Sequence, residues 1–147
     1  MKRLLLILIL IVILAGGWYA YKLYTGKVPS LTEKKADINI SAADLIAAFE
    51  KDTASANKTY LGKILAVNGN VRSVEKESAT IVLGNAGSQS SVRCSMDTAF
   101  VTKLSTITEG STITVKGACT GFNADETGLG LGSDVVLNRC VLETTNH

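Results

Sequence analysis

Tyr60-Leu-Gly-Lys-Ile-Leu-Ala-Val-Asn-Gly-Asn-Val-Arg-Ser-Val74 is the stretch whose reading decides the fold. Leu65, Val67, Gly69 and Val71 share one face, and Ile64, Ala66, Asn68, Asn70 and Arg72 share the other. This alternation predicts a half-buried strand. Val74 falls out of phase, which predicts a bulge or coil near Arg72 and Ser73. A strand this long, with Gly inside it, is what a small closed barrel bends to serve two sheets.

Working outward, Ser41-Ala-Ala-Asp44 opens a helix, with Ser41 as N-cap and Asp44 supporting the first turn. Ala42, Leu45, Ile46 and Phe49 form one apolar stripe, read as packing on the barrel. Past the long strand, Ala79, Ile81 and Leu83 alternate with Thr80 and Val82. Val92, Cys94 and Met96 alternate with Arg93 and Ser95. Asp97 to Leu104 has helical spacing, and Ile113, Val115, Gly117 and Cys119 share one face of a strand. A glycine-rich loop, Gly121 to Gly132, leads into a last strand from Val135 to Leu142. The order helix, three strands, short helix, two strands predicts a mainly β fold: a five-stranded OB barrel with a leading helix.

The chain has 147 residues, room for one domain plus an accessory segment. Residues Leu4 to Ala15 are all apolar, and the apolar character continues to Tyr21. As a helix this run would span about 27 Å, against a hydrocarbon core of roughly 30 Å. Trp18, Tyr19, Tyr21 and Tyr24 cluster at its far end, where interfacial rings belong. A cleaved signal peptide is the competing reading, but no Ala-x-Ala site follows and bulky rings stand where small residues should. The expectation is a single-span anchor over residues 1–25, a polar linker over 26–40 carrying Pro29, and an OB domain over 41–147. Lys2 and Arg3 favour a cytoplasmic N-terminus, which places the domain outside the cytoplasm on a bacterial inner membrane, although Lys22 and Lys27 pull the other way. From Val28 to His147 there are 11 basic and 13 acidic residues, a balance of −2. That is a poor electrostatic partner for nucleic acid.

The residues go further than the element order. Ala56-Asn-Lys-Thr-Tyr60-Leu-Gly62-Lys, followed by Val67-Asn-Gly69-Asn-Val71, resembles the tRNA_anti-like OB-fold family, bacterial envelope proteins of lipoprotein type. The likeness continues in Val92-Arg-Cys94, in Gly110 to Gly121, and in Val135-Val-Leu137-Asn-Arg-Cys140, covering about residues 41 to 142. It departs at the start, where no lipidation Cys is present and an apolar span stands instead. The resemblance implies the OB barrel and an envelope location, and it carries no catalytic residues to transfer. In the OB strand order the fifth strand lies between the third and fourth, so Cys140 has two candidate partners. The family-like spacing favours a Cys119–Cys140 disulfide, with Cys94–Cys140 as the alternative and three buried thiols as the plainer account.

No catalytic constellation is present. The sole His147 is terminal, so no interior base exists for a serine nucleophile. The cysteines lack C-x-x-C spacing, so neither a metal nor any other cofactor is expected. Gly128-Leu-Gly130-Leu-Gly132 precedes a strand instead of opening a helix, so it reads as a loop and not a phosphate cradle. Glu75 and Glu77 read as solvated turn charge. Base stacking needs exposed rings, and Phe49, Tyr60 and Phe100 look like core or helix residues. The remaining candidate is the outward face of the first three barrel strands. Arg72 and Arg93 are expected to meet there, with Thr80, Ser91 and Ser95 as hydrogen-bonding neighbours, a set suited to a carboxylate, phosphate or sugar acid. The expected function is a membrane-anchored, extracytoplasmic binding module for an envelope protein or peptide and not an enzyme. A glycan or small-ligand binder on the Arg72/Arg93 face is the alternative, and nucleic-acid binding the remote one.

Overall fold

The computed structural model describes residues 2–24, 31–125 and 132–143. Two elements precede the barrel core, helix α1 (Lys2–Tyr24) and strand β1 (Ile38–Ser41). Helices α2 (Ala42–Lys51) and α3 (Thr53–Tyr60) lead into strands β2 (Ile64–Glu75), β3 (Thr80–Leu83) and β4 (Ser91–Met96). A 3₁₀ helix (Thr98–Thr106) then connects to β5 (Thr112–Asn123) and β6 (Asp134–Leu142). Pro29, the glycines at 128 and 130, and His147 lie outside the described residues.

Strand β2 does what its sequence asks. Its first half pairs antiparallel with β5, from Ile64↔Ala118 to Asn70↔Thr112, and its second half pairs with β3. The register shifts between Val71 and Ser73, so the bulge falls at Arg72. β3 pairs with β4, β4 runs parallel to β6, and β6 returns to β5. The circuit β2-β3-β4-β6-β5-β2 is a closed five-strand barrel. Leu65, Val67 and Val71 fill its interior with Ile81, Leu83, Val92, Val115, Val135 and Leu137. The fold is mainly β, as expected.

Helix α2 closes one end. Ala42, Leu45, Ile46 and Phe49 are all buried. The Ser41 hydroxyl accepts from the Asp44 N–H, satisfying an orphan donor of the first turn. Phe49 stacks on Phe122 with centroids 4.9 Å apart and meets Tyr60 at 5.9 Å.

Two elements differ from expectation. Tyr60 to Lys63 is not strand: Tyr60 ends α3, a helix of weak hydrophobic character that the sequence pattern does not reveal. Asp52 separates it from α2, its N–H donating to Ala48 O while its carboxylate caps Ser55 N–H. The second is β1, inside the stretch read as a polar tether, which lies parallel to β2 from Ile38↔Leu65 to Ser41↔Asn68.

α1 is a helix of 23 residues whose side chains are described from Ile11 to Lys22. Ile11, Val12, Ile13, Leu14, Trp18, Tyr19 and Tyr21 are all exposed. Among the described residues no helix is long and apolar enough to cross a membrane; the expected span, Leu4 to Tyr21, lies partly outside the described side chains.

The cysteine pairing needs correction. Cys94, Cys119 and Cys140 are all free and buried, so the expected Cys119–Cys140 disulfide is absent. The reason is a bulge in β6. Arg139 takes φ +56°, and the β5–β6 register jumps there, leaving Cys119 opposite Leu137. Cys140 is carried past it to lie against Gly117. Its thiol is pushed up first by the neighbouring Cys94 side chain and second by burial. Burial also pushes the Cys119 thiol up, against a small opposing backbone hydrogen bond from Gly121.

Two predictions follow from this packing. A Cβ on Gly69 would stand 2.8 Å from Ala42 Cβ, so Gly69→Ala must push α2 off the barrel. Overpacking of this kind costs about 1–3 kcal/mol, read as a lower urea midpoint. The raised thiols make stability fall at alkaline pH in reducing buffer. Above the ordinary thiol value of 9.0 the unfolded chain loses these protons while the folded chain keeps them. Unfolding then releases protons, and stability drops by up to about 1.4 kcal/mol per pH unit per thiol. Urea titrations at successive pH values should show a shallower alkaline loss for Cys119→Ala and for Cys140→Ala.

Candidate functional site

Antiparallel partners share a sheet face, so the β3–β4 register sorts inner from outer side chains. Ile81↔Cys94 points into the barrel, while Val82↔Arg93 and Thr80↔Ser95 point out. Arg72, one residue past inward-facing Val71, joins this outer face by alternation, and the bulge keeps Ser73 there beside it. The result is a shallow depression of about 260 Å³, lined by Arg72, Ser73, Glu75, Val82, Gln89, Ser91, Arg93 and Asp134. Arg72, Arg93 and Ser91 therefore meet as the sequence suggests. Thr80 and Ser95 lie on the same face but do not line the depression. Thr80 is buried, its hydroxyl donating to Ser78 O at 3.1 Å.

The charges of this depression answer one another. Arg93 Nη2 donates to both oxygens of Glu75, at 3.0 and 3.2 Å. Arg72 Nη1 donates to the Ser88 carbonyl at 2.8 Å. The Ser91 hydroxyl donates to Asp134 at 2.5 Å. Two guanidinium groups and two carboxylates thus share one depression, which makes its field mixed in sign. Glu75, Gln89 and Asp134 are the site residues that sequence reasoning missed.

A second concavity, of about 350 Å³, lies between α2 and the turn after β3. Asn68, Asn70, Asn85, Ser88, Thr112 and Glu50 supply its polar lining. Two of these groups bond each other, Thr112 Oγ1 donating to Asn70 Oδ1 at 2.7 Å, and Glu50 accepts from Ser90 Oγ, outside the lining, at 2.6 Å.

The third feature is a backbone one. Among the described residues β1 pairs with β2 alone and is the outermost strand on that side. The Asp37 N–H donates to Ile64 O at 2.7 Å. Alternation therefore turns the main-chain groups of Asp37, Asn39 and Ser41 toward β2 and those of Ile38 and Ile40 away from it. Asn39 is exposed, while Ile38 and Ile40 pack their side chains on the core. Among the described residues the outward edge is thus a short row of donors and acceptors with no main-chain partner, on a strand held from within.

No ring platform accompanies these features among the described residues of the barrel. Phe49 stacks on Phe122 and meets Tyr60 at a tilt, and Phe100 lies under Lys103 Nζ at 5.0 Å. Among the described residues no group of three or more His, Cys, Asp or Glu side chains is placed to hold a metal ion.

The profile described as tRNA_anti-like matches residues 1–140. The chain belongs to the tRNA_anti-like family. A crystal structure from Klebsiella pneumoniae, described as that of a "putative nucleic acid-binding lipoprotein", is similar with a TM-score of 0.54 and 14% identity. The match covers 71% of this chain and 91% of that one. At that identity the likeness speaks to the fold alone. No curated protein matches. This tRNA_anti-like chain thus has the OB barrel of its family, with a charge-balanced outer face.

The Arg93–Glu75 pair is two-fifths exposed on each side, so its attraction is heavily screened by water. Glu75→Gln should change unfolding free energy by less than about 1 kcal/mol in urea titration.

Proposed function

We propose that this chain is a membrane-anchored binding module of the bacterial cell envelope that takes an extended segment of a partner protein along the edge of β1. The observation that carries this reading is the outward-facing backbone of Ile38 and Ile40. A peptide added there gains main-chain hydrogen bonds at modest entropic cost because the edge is already ordered. The reading gives the protein a binding role and no catalytic one. Anchoring is supported by the unbroken apolar run from Leu4 to Tyr21 and by the exposed apolar side chains of α1. Lys2 and Arg3 ahead of the run favour an exported domain. The similar Klebsiella protein is described as a lipoprotein, which agrees with an envelope setting.

A second reading has its own observation. Arg72 and Arg93 line one depression, and Arg72 bonds only a neutral carbonyl within it. A small anionic ligand or sugar acid would find one guanidinium to pair with there. Nucleic acid is less well served, because Glu75 and Asp134 stand in the same depression and repel a phosphate backbone.

The readings separate in one experiment on living cells. A photo-crosslinking residue at Asn39 should give one discrete protein adduct. Ile40→Pro deletes an outward N–H without touching the β1–β2 ladder, so the adduct should disappear. Ile40→Ala loses the same packing but keeps the donor, and should retain the adduct. No protein adduct from Asn39, or loss in both variants alike, sinks the edge reading. Small-molecule or glycan adducts from position 93 that vanish with Arg72→Ala would favour the second reading. Oligonucleotide binding by the purified chain at ~150 mM salt would favour nucleic acid.

A further inference from the structure

Beside the β1 edge the outer face of the sheet sinks into a concavity of about 530 Å³, whose near wall is Asn39, Ile40 and Ser41 of β1 itself. The register supplies the rest of its polar lining. Ser41 pairs with Asn68 and Asn68 with Thr114, so the three side chains form a row across the outer face. Within that row Asn68 Nδ2 donates to Thr114 Oγ1 at 3.0 Å. A carboxylate that lines the concavity stands at each end. Asp44 accepts the Ser41 hydroxyl at 2.7 Å, and the Glu143 N–H donates to the Thr114 carbonyl at 3.0 Å. Among the described residues no Lys or Arg lines the concavity. Neighbouring Lys116 is 6% exposed; its Nζ donates to the Thr32 carbonyl at 3.3 Å and stands 3.9 Å from Glu143. Asp44 has no basic partner among the described residues. No ring lines the concavity either, so a nucleobase finds nothing to stack on, and an anion meets two like charges.

We propose that the segment taken by the β1 edge carries a Lys or Arg opposite Ser41, and that this side chain lies in the concavity lined by Asp44 and Glu143. The inference rests on the edge reading above and names the chemistry of its partner. A strand added beside β1 extends the outer row by one place. Its residue opposite Ser41 points to the same face as Ser41, Asn68 and Thr114. Neighbouring strands stand about 4.8 Å apart, a gap that the flexible four-carbon stem of Lys, or the longer Arg, spans. Asn68 spends an amide N–H on Thr114 and keeps its carbonyl as an acceptor for the same cation. Water screens so exposed a pair, so the charge selects the partner while main-chain bonds to Ile38 and Ile40 supply the hold.

The test uses the whole 147-residue chain in detergent and a short fluorescent Thr- and Val-rich peptide with Lys, Gln or Glu at one central guest position. Binding is read by fluorescence anisotropy. The Lys peptide should bind about three- to fivefold tighter than the Gln peptide, the gain of one exposed ion pair, with the Glu peptide weakest. Raising salt from ~50 to ~500 mM should erase this ranking. Asp44→Asn combined with Glu143→Gln should bind the Lys and Gln peptides alike. Its unchanged hold on the Gln peptide shows that this variant folds. Glu77→Gln, which removes a carboxylate from the turn after β2, should leave the Lys preference as it is. Ile40→Pro should lose all three peptides. Binding that survives Ile40→Pro, or no binding of any peptide, overturns the edge reading and this inference with it. Binding that Ile40→Pro abolishes but that shows no Lys preference, or a preference that outlasts neutralisation of Asp44 and Glu143, overturns this inference alone.

Discussion

One strand has to hydrogen-bond along two different sheets, and the rest of the molecule depends on how β2 does so. Its first half faces β5 and its second half faces β3, and Leu65, Val67 and Val71 must stay on the inner side throughout. A regular strand of that length runs straight past the barrel. Relief comes at two places. Gly69 lets Ala42, in the first turn of α2, approach the strand more closely than any side chain would permit. The bulge at Arg72 inserts one extra residue, increases the local twist and turns β2 onto β3. That extra residue is also the one presented to the outer depression, so the bend that closes the barrel and the side chain that furnishes its face share one origin.

Much of this was legible because burial imposes periodicity. The inward residues of β2, β4 and β5 are those that alternate in the sequence, and the α2 stripe is buried at the positions its spacing gives. What escaped lacks period or length. β1 offers only Ile38 and Ile40 as a signal, and α3 has one buried residue, Ala56. The β6 bulge is invisible for a different reason. A left-handed conformation is ordinarily announced by Gly or Asn, and here Arg139 adopts it. Alternation therefore misplaces Cys140 among its neighbours.

The outer face was half legible in the same sense. Arg72 and Arg93 follow from strand phase, whereas their company does not. Glu75 reaches Arg93 across 18 residues of chain, and Asp134 meets Ser91 across 43. The second pairing depends on a parallel register that forms only after the chain has passed through the 3₁₀ helix, β5 and the glycine-rich loop. A sequence scan counts the arginines and sees a basic patch. The folded face sees each arginine already bonded, one by a carboxylate and one by a carbonyl. Fold membership alone points to nucleic acid, and the mixed charge of this depression is a separate, local property that fold membership does not supply.

The same barrel treats its two seams differently. At β4–β6 the strands meet inside a fully packed circuit, and bulge, glycine and buried thiols hold the closure where no partner can reach it. At β1 the sheet is left open. An open edge is ordinarily a hazard, because unpaired main-chain groups recruit any extended strand, including another copy of the same chain. Here the hazard is bounded by size. β1 is four residues long, and alternation leaves only two of them facing outward. Lys34, Lys35 and Asp37 precede the strand, and the Ser41-capped start of α2 ends it. Two residues are too few to nucleate a sheet with an arbitrary strand. Under the proposed function they are enough to orient a segment that gains further contacts from neighbouring surface, which is what would separate an edge that recognises from one that aggregates.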